Sequence, residues 1–340
     1  MKIMIAGLGS IGRRHLSNLI ELGEQDILLY RTTAAAVSQA VSLIPDKAPE
    51  VHPIVETDLQ TALAHHPQAV IVSNPTSLHL DVAIPAAEMG CTILLEKPVS
   101  HSLERIDLLQ AALIRGGGQA LVGYQFRFHP SLQKIASLLA EGAIGRPLSV
   151  RSHWGEYLPG WHPWEDYRQG YSARSDLGGG VVLTLSHPLD YLHWLFGGVA
   201  SVWAFTGHLS DLELDVEDTA EIGLQFANGV LGSLHLDYNQ QPPSHRLEII
   251  GTQGTIRWDN ALSMVELYRN TQMLNLERLT FKVPENFERN DLFRAEMEHF
   301  LAVAGGEARP VCTLEDGIAA LRLAMAVYQS AKTGKRIHLS

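Results

Sequence analysis

Between residues 2 and 30 the chain reads strand, glycine loop, helix, strand, and that order constrains the fold more than any other feature. Lys2-Ile3-Met4-Ile5-Ala6 is a short apolar strand. Gly7-Leu8-Gly9-Ser10-Ile11-Gly12 follows it. An amphipathic helix with Ile11, Leu16, Leu19 and Ile20 on its apolar side comes next, and Asp26-Ile27-Leu28-Leu29-Tyr30 forms a second strand. In this setting Gly7 permits the tight turn, Gly9 lets backbone approach a pyrophosphate, and Gly12 allows close helix–strand packing. Ser10 and Ile11 open the helix, whose free N–H groups and positive dipole end suit phosphate. The expectation is a nicotinamide dinucleotide, NAD or NADP.

Helices and short apolar strands then alternate. Helices are expected near 34–43, 58–65, 77–89 and 102–115, and strands near 51–54, 69–72, 92–95 and 120–122. Such alternation implies a doubly wound parallel sheet with helices on both faces. After Gly123 the pattern changes. A helix near 130–140, a strand near 147–153, a Trp- and Pro-rich stretch at 155–178 and a helix near 180–195 lead into strands that alternate apolar and polar residues from 200 to 268. That alternation predicts a mostly antiparallel sheet with one face solvated or covered by a partner. Helices at 289–304 and 315–333 close the chain. The fold class is α/β with a second, α+β domain. The domains are placed at 1–123 (dinucleotide-binding) and 124–340 (substrate-binding and oligomerisation), with the last helix able to return to the first.

A formal net charge of −11 without a basic tract argues against nucleic acid as a partner. The N-terminus shows no basic and apolar leader, and no span long enough for a membrane is expected. Cys91 and Cys312 lack metal-ligand spacing and fit buried thiols in a reducing cytoplasm. No metal is expected.

Ile93-Leu94-Leu95-Glu96-Lys97-Pro98 is an apolar strand that ends in a charged pair, with a proline to stop it. The carboxyl end of a buried parallel strand is where open α/β sheets bind ligands. A partly desolvated Lys97 ammonium there is an electrostatic or acid/base group; the bland alternative is a surface Glu-Lys turn. Ser73, Asn74 and Pro75, at the end of the 69–72 strand, border the same crevice, and His79 follows as a ligand, cap or surface residue. No carboxylate stands at the end of the second strand to take a free ribose 2′-hydroxyl. Arg31 can hold a 2′-phosphate or stack on adenine, and Thr32 can hydrogen-bond either, so the balance tilts mildly toward NADP; Arg31 can equally be a solvated loop residue. Among later residues, Trp161, Trp164 and Arg168 belong to an aromatic stretch that either lines a sugar pocket or fills its own core. Arg127 and Arg168 suit bidentate recognition of an anion. Asp190 either orients the site or faces a salt-bridge partner.

Several segments in order resemble the glucose–fructose oxidoreductase/inositol dehydrogenase family, known as Gfo/Idh/MocA. They are Gly7 to His15, Asn74-Pro75 with His79, Glu96-Lys97-Pro98, Gly123-Tyr124-Gln125-Phe126-Arg127-Phe128-His129-Pro130, Gly178-Gly179-Gly180 followed by His187 and Asp190, and Gly251 to Ile256. The resemblance covers nearly the whole chain. It implies a Rossmann domain, a second domain built on a large open antiparallel sheet, homodimers or homotetramers through that sheet, and nicotinamide-dependent redox chemistry on a sugar, sugar derivative or polyol. It gives Lys97 a place near the nicotinamide and the reacting carbinol, and His187 the role of general acid/base or substrate orienter. Glu96 and Gln125 fall on the cofactor side, and Tyr124 and Thr184 on the substrate side. Many members carry an aspartate four residues before the histidine; here Leu183 stands there with Thr184 beside it, so an Asp–His pair is missing from that place. Which of Lys97 and His187 takes the proton stays open. The family also includes redox-assisted glycosidases and resembles a non-catalytic cofactor-binding regulator, and these remain the alternative readings.

Overall fold

The computed structural model describes residues 1–32, 51–270 and 276–339. The helix expected near 34–43 lies outside them. The chain forms two compact units, Met1–Gln125 with Glu288–Ile318, and Phe126–Phe287 with Ala319–Ser340.

In the first unit, six strands run in the order β3-β2-β1-β4-β5-β6: β1 (Ile3–Ala6), β2 (Ile27–Tyr30), β3 (Ile54–Glu56), β4 (Ala69–Val72), β5 (Thr92–Glu96) and β6 (Ala120–Gly123). Every pair is parallel. β1, β4, β5 and β6 are buried along their whole length, which is why they read as unbroken apolar runs. The strand expected near 51–54 begins at Ile54. Pro53 has no N–H to give a ladder, so pairing starts after it. Strand order reverses between β1 and β4, the position where open α/β sheets leave a crevice. Gly7, Ser73 and Lys97 each follow the carboxyl end of a strand at or beside that point. α1 (Ser10–Glu21), α2 (Leu59–Ala64), α3 (His79–Glu88) and α4 (Ile106–Gly116) make the crossovers.

A further helix of this unit is drawn from far along the chain. Its N-terminus is fixed by a reciprocal capping box between Glu288 and Asp291, and it presents Leu292, Phe293, Met297, Phe300 and Val303 to the core. It packs on α1: Asn290 donates to Asn18 Oδ1 at 2.9 Å, and the Arg14 guanidinium lies 4.6 Å over the Phe293 ring.

The second unit opens with α5 (Pro130–Ala140) and is built on nine strands. In chain order these are β7 (Pro147–Gly155), β8 (Val199–Gly207), β9 (Thr219–Phe226), β10 (Leu231–Asp237), β11 (Ser244–Gly251), β12 (Gly254–Asp259), β13 (Met264–Asn270), β14 (Leu276–Lys282) and β15 (Ile337–His338). Their order in the sheet is β14-β13-β12-β11-β7-β10-β9-β8-β15. β7 and β10 are parallel and the other pairs antiparallel. Alternation sets the faces: Ala220, Ile222, Leu224 and Phe226 are buried, while Glu221 and Gln225 between them are exposed. β14 has no fully buried position, so it leaves little apolar signal in the sequence. The helix expected over 180–195 is two, α6 (Val181–Thr184) and α7 (His187–Phe196). Pro188 explains the break: inside one continuous helix its ring would meet the Thr184 carbonyl, whereas at the start of a new helix its missing N–H costs nothing. The 289–304 helix described above is α8 (Arg289–Ala304), and α9 (Leu314–Thr333) follows it. Among the described residues no helix is long and apolar enough to cross a membrane.

Candidate active site

The glycine loop is built so that side chains are excluded from two positions and unneeded at a third. Gly7 has φ +95°, and a Cβ there would sit 2.6 Å from the Asn74 amide nitrogen. A Cβ on Gly12 would lie 2.1 Å from the Gly7 carbonyl oxygen. Gly9 faces open space. It is the N-cap of α1 and no side chain caps the helix, so the first N–H groups are left for an anion. Ser10 is exposed and Ile11 half-buried at that end. This cradle fits a dinucleotide pyrophosphate. Gly12→Ala is expected to cost about 1–3 kcal/mol of stability through overpacking against backbone, and to abolish NADH binding; thermal unfolding and a fluorescence titration with NADH check both.

Around the loop, Ser73 Oγ donates to the carbonyls of Ala6 (3.1 Å) and Gly7 (2.9 Å), tying β4 to the glycine turn. Asn74 donates from Nδ2 to the Leu78 carbonyl, and its Oδ1 is buried with no hydrogen-bond partner. Pro75 precedes the short turn of helix at Thr76–Leu78. His79 is buried, with its ring nitrogens 3.0 Å from the carbonyls of Pro98 and Asn74. It joins the loop after β4 to the loop after β5, and burial pushes its pKa down. Arg31 is half-buried after β2, with Thr32 exposed beside it. Burial, then the neighbouring Arg13 guanidinium, disfavours its charge.

Glu96 and Lys97 end β5. The Glu96 carboxylate accepts the Lys97 amide at 3.2 Å and bonds His15 Nε2 at 2.7 Å. Burial alone would raise its pKa, but the His15 bond and the nearby Lys97 and His79 outweigh that and hold it below the usual range. Lys97 is half-buried, its ammonium close enough to act on Glu96. Tyr124 and Gln125, just after β6, are both buried.

In the second unit, Arg127 and Asp190 form an ion pair with both side chains almost fully buried. Nη2 donates to Oδ1 at 2.7 Å and Nε to Oδ2 at 3.1 Å. Of the two roles open to Asp190, the structure thus gives it a salt-bridge partner, and it engages the Arg127 fork that the sequence offers to an anion. His187 heads α7, buried, its ring 4.9 Å from Phe126 and stacked with Trp154 at 5.5 Å. Trp154 also stacks with His245 at 4.2 Å, and Tyr191 links His245 (3.2 Å) to Ser152 (2.7 Å). Burial, then His129 and His153, pushes the His245 pKa far down, so that imidazole is neutral. Thr184 is buried at the end of α6. Trp161 is half-buried, edge-on to Tyr238 at 5.7 Å. Trp164 is 77% exposed. Arg168 stands at the surface, where it pairs with Asp166 and Glu213, each at 2.8 Å.

Sequence reasoning missed four residues that the structure sets beside these. His15 stands in the quoted 7–15 segment without a role. Trp154 and His245 occupy inward positions of adjacent strands, cross-strand partners in the β7–β11 register. Glu296 carries a readable signal: it lies four residues from Leu292 and from Phe300, so a carboxylate occupies the apolar stripe of α8.

Comparison with known proteins matches two successive parts of the chain. Residues 1–124 match the oxidoreductase-family NAD-binding Rossmann fold, and residues 136–339 match the oxidoreductase-family C-terminal alpha/beta domain. The chain is 28% identical to the uncharacterized oxidoreductase YrbE of Bacillus subtilis, over 98% of this chain and 95% of the relative. It is 25% identical to the myo-inositol 2-dehydrogenase of Thermotoga maritima, over 100% of this chain and 98% of the relative. Levoglucosan dehydrogenase in complex with NADH shares the fold at a TM-score of 0.87 and 19% identity, covering 100% of this chain and 99% of that one. The glycine cradle, the strand order and both matched domains lead to one conclusion: the chain belongs to the Gfo/Idh/MocA oxidoreductase family.

Proposed function

We propose that the protein is a dehydrogenase/reductase that moves hydride between NAD(P) and a carbinol or carbonyl carbon of a sugar, sugar derivative or polyol. The observation that carries this reading is Lys97, half-buried at the carboxyl end of β5 with its ammonium close enough to act on Glu96, in the domain that has the glycine cradle. The names of the relatives support the substrate class, since one is an inositol dehydrogenase and another a levoglucosan dehydrogenase. When bound, the nicotinamide accepts or supplies the hydride. The chain's own residues supply the rest. An ammonium such as Lys97 stabilises alkoxide character as it develops. An imidazole such as His187 handles the proton near neutral pH. Tyr124, Thr184, Trp161, Trp164 and Arg168 are proposed as substrate contacts, with Asp190 fixing the orientation of Arg127. A screen of sugars, polyols, sugar acids and nucleotide sugars with both cofactors, read at the nicotinamide absorbance band, tests the reading. Turnover with at least one is expected, and none with any would refute it.

NADP is proposed as the preferred cofactor because Arg31 follows β2 with Arg13 of α1 near enough to disfavour its charge, an effect that a 2′-phosphate would offset. Arg31→Ala is then expected to weaken NADPH binding by roughly 10- to 100-fold, the loss of one charge-assisted hydrogen bond at about 1.5–3 kcal/mol, with NADH little changed. Fluorescence titration of both cofactors checks it, and an equal effect on both would reject the preference. A homodimer or homotetramer is proposed through the outer sheet face, where Trp203 and Phe205 on β8 and Leu231 on β10 are exposed on either side of β9. Cys91 and Cys312 are buried and not joined in a disulfide, which suits the reducing cytoplasm proposed as its location.

A further inference from the structure

Behind Lys97 lies a group that the redox reading does not use. Glu296, on the apolar stripe of α8, is 1% exposed, and neither of its carboxyl oxygens has a hydrogen-bond partner. It is not isolated from charge. One ligand atom each of His15, Glu96 and Glu296 lie within 4.8 Å of one another. His15 comes from α1, Glu96 from β5 and Glu296 from α8, so three elements converge on one buried point. Glu96 is fully engaged there, with Oε1 on His15 and Oε2 on the Lys97 amide. Gly123 closes in on the same carboxylate, since a Cβ there would stand 3.1 Å from Glu96 Oε2. The cluster thus has one imidazole and two carboxyl groups; the imidazole Nε2 is on Glu96, and its Nδ1 is buried with no hydrogen-bond partner.

Two carboxylates this close, both out of water, do not ionise together; one keeps a proton. The hydrogen bonds decide which. Glu96 has two donors and Lys97 beside it, whereas Glu296 has none. We propose that Glu296 is a positioning residue that acts on Lys97 through Glu96: it holds its own proton, so the cluster carries one carboxylate charge and Glu96 stays locked to His15 and the Lys97 turn. The inference rests on the reading of Lys97 given above. Burial, then the Glu96 charge, pushes the Glu296 pKa well up, in keeping with this assignment. The groups facing the cluster are His15 on α1, with Arg14 beside it over Phe293, Glu96 and Lys97 on β5, and His79, whose charge reaches Glu96 from α3.

The sign of the pH effect follows. A carboxyl whose folded-state pKa lies above its unfolded value stabilises the fold fully only below the unfolded value, about 4.3 for Glu, and that contribution is lost as pH rises toward the folded value. Glu296→Gln is neutral at every pH and nearly the same shape. Thermal unfolding of wild type and E296Q across pH is therefore expected to show a melting temperature for E296Q that gains steadily on wild type from about pH 4.3 upward. A second readout follows Lys97 itself, by NMR of protein labelled with [13Cε]lysine. In wild type the Lys97 signal is expected to shift above the ordinary carboxylate range as Glu296 loses its proton, and that step is expected to be missing from E296Q. A wild type as stable as E296Q at all pH values, or identical Lys97 titrations, would overturn the proposal. So would one tightly held metal ion per chain that survives chelation and is lost in E296Q, because a cation would then balance the second carboxylate. None of these readouts uses turnover, so a Lys97 found to be dispensable for catalysis would sink the functional reading and leave the Glu296 result standing.

Discussion

Lys97→Ala is expected to lower kcat/KM by roughly 10²- to 10⁴-fold, the range that one well-placed electrostatic or acid/base group contributes, while NADH still binds. The separation follows from the architecture. The pyrophosphate cradle belongs to Gly7, Gly9, Gly12 and the N-terminus of α1, none of which depends on the lysine side chain. The β5 turn is held by backbone and by Glu96, whose bonds to His15 and to the Lys97 amide survive the truncation. Steady-state kinetics and an NADH titration on the same preparation read both quantities. Loss of cofactor binding in parallel with activity would make Lys97 a cofactor ligand and remove it from the reacting centre.

The other large effect concerns stability. Asp190→Ala is expected to destabilise the protein by about 3–5 kcal/mol, because removing one partner of a buried ion pair strands the other charge. Arg127 would be that stranded charge, in a site where its side chain is 3% exposed and Asp190's is 1%. The ranking matters more than the magnitude: Asp190→Ala should be much worse than Asp166→Ala, which also takes a bonded carboxylate from an arginine, Arg168. Arg168 is half exposed and keeps Glu213, so that loss should be small, as for other solvent-screened surface pairs. Guanidinium unfolding of the two variants compares them. Similar losses would mean that the Arg127–Asp190 pair is better solvated than its burial indicates.

Much of the first unit was legible because its information is local. A strand, three spaced glycines and a helix start occupy consecutive residues, and each of Gly7 and Gly12 has a steric reason readable from spacing alone. Lys97 was legible for the same reason, as an apolar strand ended by a charged pair and a proline. What stayed hidden depends on chain distant in sequence. That α8 joins the first unit is seen in Phe293 packing on His15 and Arg14 and in Asn290 bonding Asn18, 272 residues upstream, and no local pattern names the partner. Glu296 could be flagged as a carboxylate in an apolar stripe, but its company, His15 and Glu96, could not. Arg127 and Asp190 were each singled out as chemical groups; that they spend their charge on one another needs coordinates. Trp164 and Arg168 were singled out by type, and type says nothing of exposure; both stand at the surface of this chain. The break between α6 and α7 was readable in principle from Pro188, and helical periodicity on both sides concealed it.

The central claim is direct hydride exchange between a carbinol carbon and the nicotinamide. The measurement that tests it most directly uses substrates from the sugar and polyol screen with deuterium on the carbinol carbon, incubated with the protein and oxidised cofactor and followed by mass spectrometry of the reduced nicotinamide. The account predicts deuterium in the reduced cofactor, formed by wild type and strongly diminished in Lys97→Ala and His187→Ala. Cofactor binding with no deuterium transfer from any of these compounds would contradict it.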